Sequence, residues 1–192
     1  ILCIAVTQQN FINLGFPFQM IEISIITAVL NGEKTLNNCL DSIAQQKNSK
    51  VQHIIIDGGS TDHSLSIINH YPHIQTMIIN HKISLYEALN MGIQKATGEV
   101  IGMLHCDDIF TSVHTLHEVC RCFENKSIDA LYGDLVVVDK ENTSKVIRKW
   151  TAGNYHHNSL KMGWMPPHPT FFIRKSIFQK YGLYNTNLSI SS

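Results

Sequence analysis

The sequence has no surplus of charge in either direction: Lys+Arg and Asp+Glu number 15 each, for a formal net charge of zero over 192 residues. A dedicated nucleic-acid binder carries a basic excess to neutralise phosphates, so no nucleic-acid partner is expected. Charged residues are scarce, 16% against a typical ~25%, yet hydrophobic residues reach 44%, which excludes a chain too polar to collapse. Long apolar runs are missing too. The opening stretch, residues 1–6, is broken by Gln8, Gln9 and Asn10 and lacks the basic flank of a signal peptide. The five cysteines, Cys3, Cys39, Cys106, Cys120 and Cys122, are odd in number and scattered. That is a poor disulfide framework and fits a reducing compartment. A single soluble domain is expected.

The first methionine, Met20, stands directly before a strand-like run, so residues 1–19 are expected to be an extension and 20–192 the domain proper. A β-branched run over 21–30 reads as a strand buried on both faces and ends at Asn31-Gly32. Leu36, Cys39, Leu40 and Ile43 recur at helical spacing through Gln46. The unit then repeats: strand 51–56, the turn Asp57-Gly58-Gly59-Ser60, helix 61–70, strand 74–79, helix 85–95 and strand 100–104, which ends at His105-Cys106-Asp107-Asp108. Strands alternating with helices predict βαβ units in a mainly parallel sheet. The pattern then changes. Helix 115–123 precedes two strand-like runs, 130–138 and 145–150, joined by the polar turn 139–143 as an antiparallel hairpin. A Pro-rich loop, 163–169, leads to strand 170–173 and helix 175–181.

Ligands of an open α/β sheet bind outside the carboxyl ends of its strands, where three polar clusters fall: Asn31-Gly32, 57–62 and Asp107-Asp108. Asp57 and Ser60 read equally as turn and cap residues or as ligand contacts. Asp107 and Asp108 are like charges at the end of an apolar strand, with side chains sent opposite ways by alternation. One suits a hard divalent cation and the other a sugar hydroxyl, although Asp-Asp also starts many helices. His114, His117, Cys120 and Cys122 match no common zinc spacing and read as helix contacts. Tyr86, Leu89 and Ile93 read as core, with Asn90 able to reach the ligand cleft. Lys145, Arg148, Lys149 and Lys161 read as solvated charges.

The ordered segments Ile-Ile-Thr-Ala-Val-Leu-Asn-Gly (25–32), Ile-Ile-Asp-Gly-Gly-Ser-Thr-Asp (55–62), Tyr-Glu-Ala-Leu-Asn-Met-Gly-Ile (86–93), Ala-Thr-Gly-Glu-Val-Ile-Gly (96–102) and Cys-Asp-Asp (106–108) resemble family 2 glycosyltransferases of the bacterial surface-polysaccharide type. Tyr-Gly-Asp (132–134) and Met-Pro-Pro-His-Pro-Thr-Phe-Phe (165–172) extend the likeness. It implies an α/β GT-A, Rossmann-like fold that transfers a sugar, with inversion, from a nucleoside-diphosphate sugar to a glycan or lipid-linked acceptor. By the same resemblance, the donor contacts are Ala28, Leu30, Asn31, Asp57, Gly58, Asn90 and Asp107, with Asp57 on the base and Asp107 on the ribose. Asp108 holds the divalent cation, Mn²⁺ or Mg²⁺, and His168 is either a further ligand or a packed loop histidine. Leu30 stands where many relatives carry a base-stacking tyrosine, and Lys82, Ser84, Glu87 and Met91 also depart from the common pattern. The catalytic aspartate is expected beyond Ser192. The implied location is cytoplasmic, with peripheral association at the inner face of the plasma membrane. A non-catalytic nucleotide-sugar binding module and a sugar-nucleotide nucleotidyltransferase are the alternative readings.

Overall fold

Isoleucine-rich strands that send side chains alternately to two faces need cover on both, and in the computed structural model helices supply it. The structure describes residues 2–5 and 21–187. In chain order the strands are β1 (Leu2–Ala5), β2 (Glu22–Val29), β3 (Lys50–Asp57), β4 (Ile74–Ile79), β5 (Val100–Met103), β6 (Asp108–Phe110), β7 (Ala130–Leu131), β8 (Asp134–Val138), β9 (Val146–Trp150) and β10 (Phe172–Arg174). The helices are α1 (Leu36–Ala44), α2 (Ser64–Ile68), α3 (Leu85–Lys95), α4 (Thr115–Phe123) and α5 (Lys175–Tyr181).

The main sheet has the order β4-β3-β2-β5-β10-β7. Its first four strands are parallel, and β10 runs antiparallel to both β5 and β7. On one face Ile23 and Ile25 of β2 pack with Leu116, Val119 and Phe123 of α4. On the other, Ile26, Ile54, Ile56 and Ile101 pack with Leu89 and Ile93 of α3. Ile55, pointing away from α3, meets Leu36 and Leu40 of α1 and Ile68 of α2. The βαβ reading therefore holds, as does the α/β fold with a mainly parallel sheet and a later antiparallel hairpin, β8–β9. Among the described residues no helix is long and apolar enough to cross a membrane.

One feature departs from the sequence reading. The run over 130–138 is not one strand: β7 belongs to the main sheet and β8 to a second sheet of order β6-β1-β8-β9. The break is at Gly133, whose backbone N–H donates to Thr170 Oγ1 (3.1 Å) and whose carbonyl accepts from the same hydroxyl (2.9 Å). A side chain thus takes the place of a ladder partner. Inside the stretch expected to be an extension, β1 pairs in parallel with β6 and antiparallel with β8.

The Ala-Thr-Gly segment closes α3 against buried polar groups of β2 and β3. Gly98 N donates to Ser24 Oγ (2.9 Å), Thr97 N to Gln52 Oε1 (2.7 Å), and Ser24 Oγ to the same Gln52 oxygen (2.6 Å). A Cβ at Gly98 would lie 2.6 Å from the Ser24 backbone nitrogen, so only glycine permits this approach.

His53 of β3 is wholly buried, between Thr27 Oγ1 (3.1 Å) and His73 Nε2 (3.0 Å). Burial, with His73 beside it, lowers its pKa from 6.5 to about 3. Below pH 6.5 the unfolded chain takes up a proton that the folded chain refuses until about pH 3, so stability falls as pH drops through that window. Between pH 7 and pH 5 urea denaturation should show this residue withdrawing about 2 kcal/mol, from 1.4 kcal/mol per unit. His53→Leu should flatten the dependence by that amount, and an identical pH slope in wild type and variant would contradict the assignment.

Candidate active site

At the carboxyl edge of the parallel strands, the loops after β2 and β3 are tied together by side chains that accept outward-pointing backbone N–H groups. Asp57, wholly buried at the end of β3, takes Gly59 N (2.8 Å) and Ser60 N (2.7 Å) on Oδ1 and the Ser60 hydroxyl (2.6 Å) on Oδ2. Ser60 Oγ in turn accepts from Asn31 N (2.9 Å), and Asn31 Oδ1 accepts from Thr61 N (2.8 Å). Farther along, Gly32 N donates to Ser64 Oγ (2.9 Å) and Glu33 N to Asp62 Oδ2 (3.0 Å). Gly59 takes a positive φ of 95° and Asn31 one of 51°, a region that glycine and asparagine enter most readily.

These loops form one wall of a cavity of about 270 Å³. Ala28, Leu30 and Gly58 line that side, Ser84, Leu85 and Ala88 at the start of α3 line another, and His105, Cys106 and Asp107 close it. Leu30 is 60% exposed, so it presents an apolar surface at the mouth. Ser84 and Glu87 form a reciprocal capping box on α3: Ser84 N donates to Glu87 Oε2 (2.7 Å) and Glu87 N to Ser84 Oγ (3.3 Å). Those bonds hold the Glu87 carboxyl below its ordinary pKa and occupy it as a cap.

Of the residues expected at the donor, Ala28, Leu30, Gly58 and Asp107 line the cavity; Asn31, Asp57, Asn90, Asp108 and His168 do not. Asn31 and Asp57 are struts of the loop pair. Asn90 clamps a later segment to α3, its Nδ2 donating to Tyr184 O (2.9 Å) and its Oδ1 accepting from Tyr184 N (2.9 Å). The two adjacent aspartates diverge as alternation requires, but Asp108, expected to meet the cation, is the buried one at 1% exposure, and Asp107 is exposed at the cavity. His168 reaches the same corner indirectly, its ring stacked on that of His105 at 5.5 Å and 13°.

His105 and Cys106 were not singled out from the sequence, although their place between a strand end and Asp107 marks them. Burial lowers the His105 pKa while Asp107 pulls the other way, which leaves a neutral imidazole. Burial and then Asp107 push the Cys106 thiol up to about 11, so it is protonated near neutrality. No group of three or more His, Cys, Asp or Glu among the described residues forms an all-protein metal cage. A carboxylate beside neutral imidazoles nonetheless fits Mn²⁺ or Mg²⁺ shared with a ligand's phosphates, since such cations commonly take one or two protein carboxylates and complete their shell from substrate and water.

The glycosyl transferase family 2 model matches residues 24–183. A PGL/p-HBAD biosynthesis glycosyltransferase of Mycobacterium bovis is 32% identical over 167 residues, 84% of this chain and 62% of that relative. The chain therefore spans about three-fifths of that relative's length. An uncharacterised glycosyltransferase of Nostoc is 28% identical over 122 residues, 62% of this chain and 38% of its own. Among solved structures, a Pyrobaculum calidifontis mannosyltransferase in complex with GDP-Man and Mn²⁺ superposes with a TM-score of 0.67 at 16% identity, covering 91% of this chain and 52% of that one. S. aureus TarS in complex with UDP gives 0.66 at 19% identity, covering 87% and 51%. These two likenesses establish the GT-A fold.

The Asp57 geometry has a direct consequence. Asp57→Ala strips three donors of their charged acceptor and should cost about 3 kcal/mol of folding stability in urea denaturation. A loss of ligand affinity with unchanged stability would show that the carboxylate serves a ligand instead.

Proposed function

Because the chain belongs to glycosyl transferase family 2, we propose that its cavity binds a nucleoside-diphosphate sugar and that the enzyme passes the sugar, with inversion, to a glycan or lipid-linked acceptor in cell-surface polysaccharide biosynthesis. The observation that carries the reading is Asp107, exposed on the cavity at the carboxyl end of β5 and opposite the apolar wall of Ala28, Leu30 and Gly58. A nucleoside needs a flat apolar surface for its base and hydrogen-bonding groups for its ribose and phosphates. Leu30, packed beside Gly58, supplies the first.

Asp107, with His105 and His168 at the same corner, would hold the divalent cation, Mn²⁺ or Mg²⁺, whose positive charge stabilises a departing nucleoside diphosphate. Asp108 is assigned a structural role within the second sheet. The GDP-Man and Mn²⁺ of the mannosyltransferase, and the UDP of TarS, support a nucleotide-sugar donor. Donors of this kind are made in the cytoplasm, so the proposed workplace is the cytoplasmic face of the plasma membrane, through peripheral association.

Isothermal titration with UDP, GDP and dTDP, with and without Mn²⁺, tests the assignment. Wild type should bind one of them more tightly with Mn²⁺, and Asp107→Asn should lose at least about tenfold of that metal-dependent affinity. Asp108→Asn should lower the unfolding temperature and keep the metal dependence. The reverse pattern would return the cation to Asp108.

A further inference from the structure

We propose that the surface formed by β9 and the chain that follows it to Met165 docks on an anionic lipid bilayer, with basic side chains at the headgroups and apolar ones in the interface. The inference rests on the membrane-face placement proposed above and gives it a surface. Charge along the sequence is neutral only in total. Residues 142–192 hold seven of the 15 Lys and Arg and none of the 15 Asp and Glu, which leaves eight cations against 15 anions in residues 1–141. A chain so polarised turns its basic end towards an anionic surface and its acidic end away.

Exposed apolar side chains gather at the same end. Among the described residues, nine of the twelve large hydrophobics left exposed lie beyond residue 141, and Ile147, Trp150, Tyr155, Leu160, Met162 and Met165 are six of them. β9 is the outer strand of the second sheet, and all five of its residues are exposed. The chain after it folds back on itself: Trp164 Nε1 donates to Ala152 O (3.1 Å), Trp164 N to Ser159 O (3.0 Å), and the Trp164 and Tyr155 rings meet at 5.9 Å. Asp134 Oδ1 accepts from Ala152 N (2.9 Å) and fastens this excursion to β8. Within it, the 3₁₀ turn Leu160–Met162 ends on Gly163, and Met162 is 83% exposed.

The cations are interleaved with these apolar groups. Arg148 and Lys149 stand between Ile147 and Trp150, and Lys161 between Leu160 and Met162. All three are exposed, and none has an ion-pair partner among the described residues, whereas Lys145 is paired with Asp139 at 3.7 Å. A bilayer matches both components, since its anionic headgroups lie over an apolar layer and tryptophan and tyrosine favour the boundary. A nucleic acid offers the same phosphates without an apolar layer for Met162. A second copy, meeting this surface with its own, would set Arg148 and Lys149 against like charges.

Co-sedimentation of the full chain with phosphatidylcholine vesicles, with and without about 30% phosphatidylglycerol, tests the proposal. Binding should need the anionic lipid and weaken steeply between about 0.1 M and about 0.5 M salt. Arg148→Gln with Lys149→Gln should weaken it about thirtyfold, from about fivefold for each basic residue at the surface. Leu160→Ser with Met162→Ser should weaken it about tenfold. Lipids brominated on the acyl chains should quench the tryptophan emission of wild type but not of Trp150→Phe, because Trp164, the other of the two tryptophans, is held against Ala152. Equal binding to neutral vesicles, binding indifferent to both double substitutions, quenching that survives Trp150→Phe, or a dimer dispersed by Leu160→Ser with Met162→Ser would overturn the surface. UDP and GDP titrations with Mn²⁺, run in parallel on wild type, separate the two readings. Nucleotide binding without vesicle binding would overturn the docking surface alone, and vesicle binding without nucleotide binding would overturn the donor reading and leave the surface standing.

Discussion

The carboxyl ends of β2 and β3 leave backbone N–H groups that no strand can receive, and the fold depends on how they are met. Asp57, Ser60, Asn31, Ser64 and Asp62 meet them with side-chain oxygens. Each contact is short-range, yet together they lock two loops whose partners are about 30 residues apart in sequence. Because the loops are locked, Ala28, Leu30 and Gly58 form a fixed wall. A wall fixed before the ligand arrives avoids the ordering cost that a mobile loop would meet on binding.

Opposite that wall, alternation makes a single decision with large effects. Of two neighbouring carboxylates, one turns into the protein and one into the cavity. The inward one opens β6, which pairs with β1. The outward one lines the cavity beside His105, whose pKa burial lowers. An exposed carboxylate at the cavity is thus separated from the second sheet by one peptide unit. Farther along the chain, Arg174 anchors β10 by donating to the carbonyls of Ile128, Phe123 and Asn125 and pairing with Glu99, which fixes the strand that follows the Pro-rich turn.

The parallel half of the fold was legible because its elements carry their own period: 74–79 and 85–95 match the observed β4 and α3 at both ends, as 115–123 matches α4 beyond it. The run over 130–138 was misread because Ala130 to Val138 is uniformly strand-forming apart from Tyr-Gly-Asp, and the partner that breaks it, Thr170, lies 37 residues on. β6, three residues long, is too short to show a period. At the site, position along the strand ends was legible, whereas which of the two adjacent carboxylates lines the cavity was not. Asp107 and Asp108 are identical in type, and the half-turn that separates them depends on β6 pairing. Asp57 and Asn90 stood where ligand contacts were expected, yet their hydrogen bonds run to nearby backbone and to a segment 94 residues away. A sequence pattern marks such residues as constrained without showing these hydrogen bonds.

The central claim is that the cavity walled by Leu30 and Gly58 receives a nucleoside diphosphate and that Asp107 meets its cation. A crystal structure of the chain grown with Mn²⁺ and the tightest-binding of UDP, GDP and dTDP tests it most directly, because the anomalous signal locates the metal independently of the surrounding density. The expected result is a manganese peak within coordination distance of the Asp107 carboxylate, with the base against Leu30. A manganese peak on Asp108, or a nucleotide bound away from this wall, would contradict it.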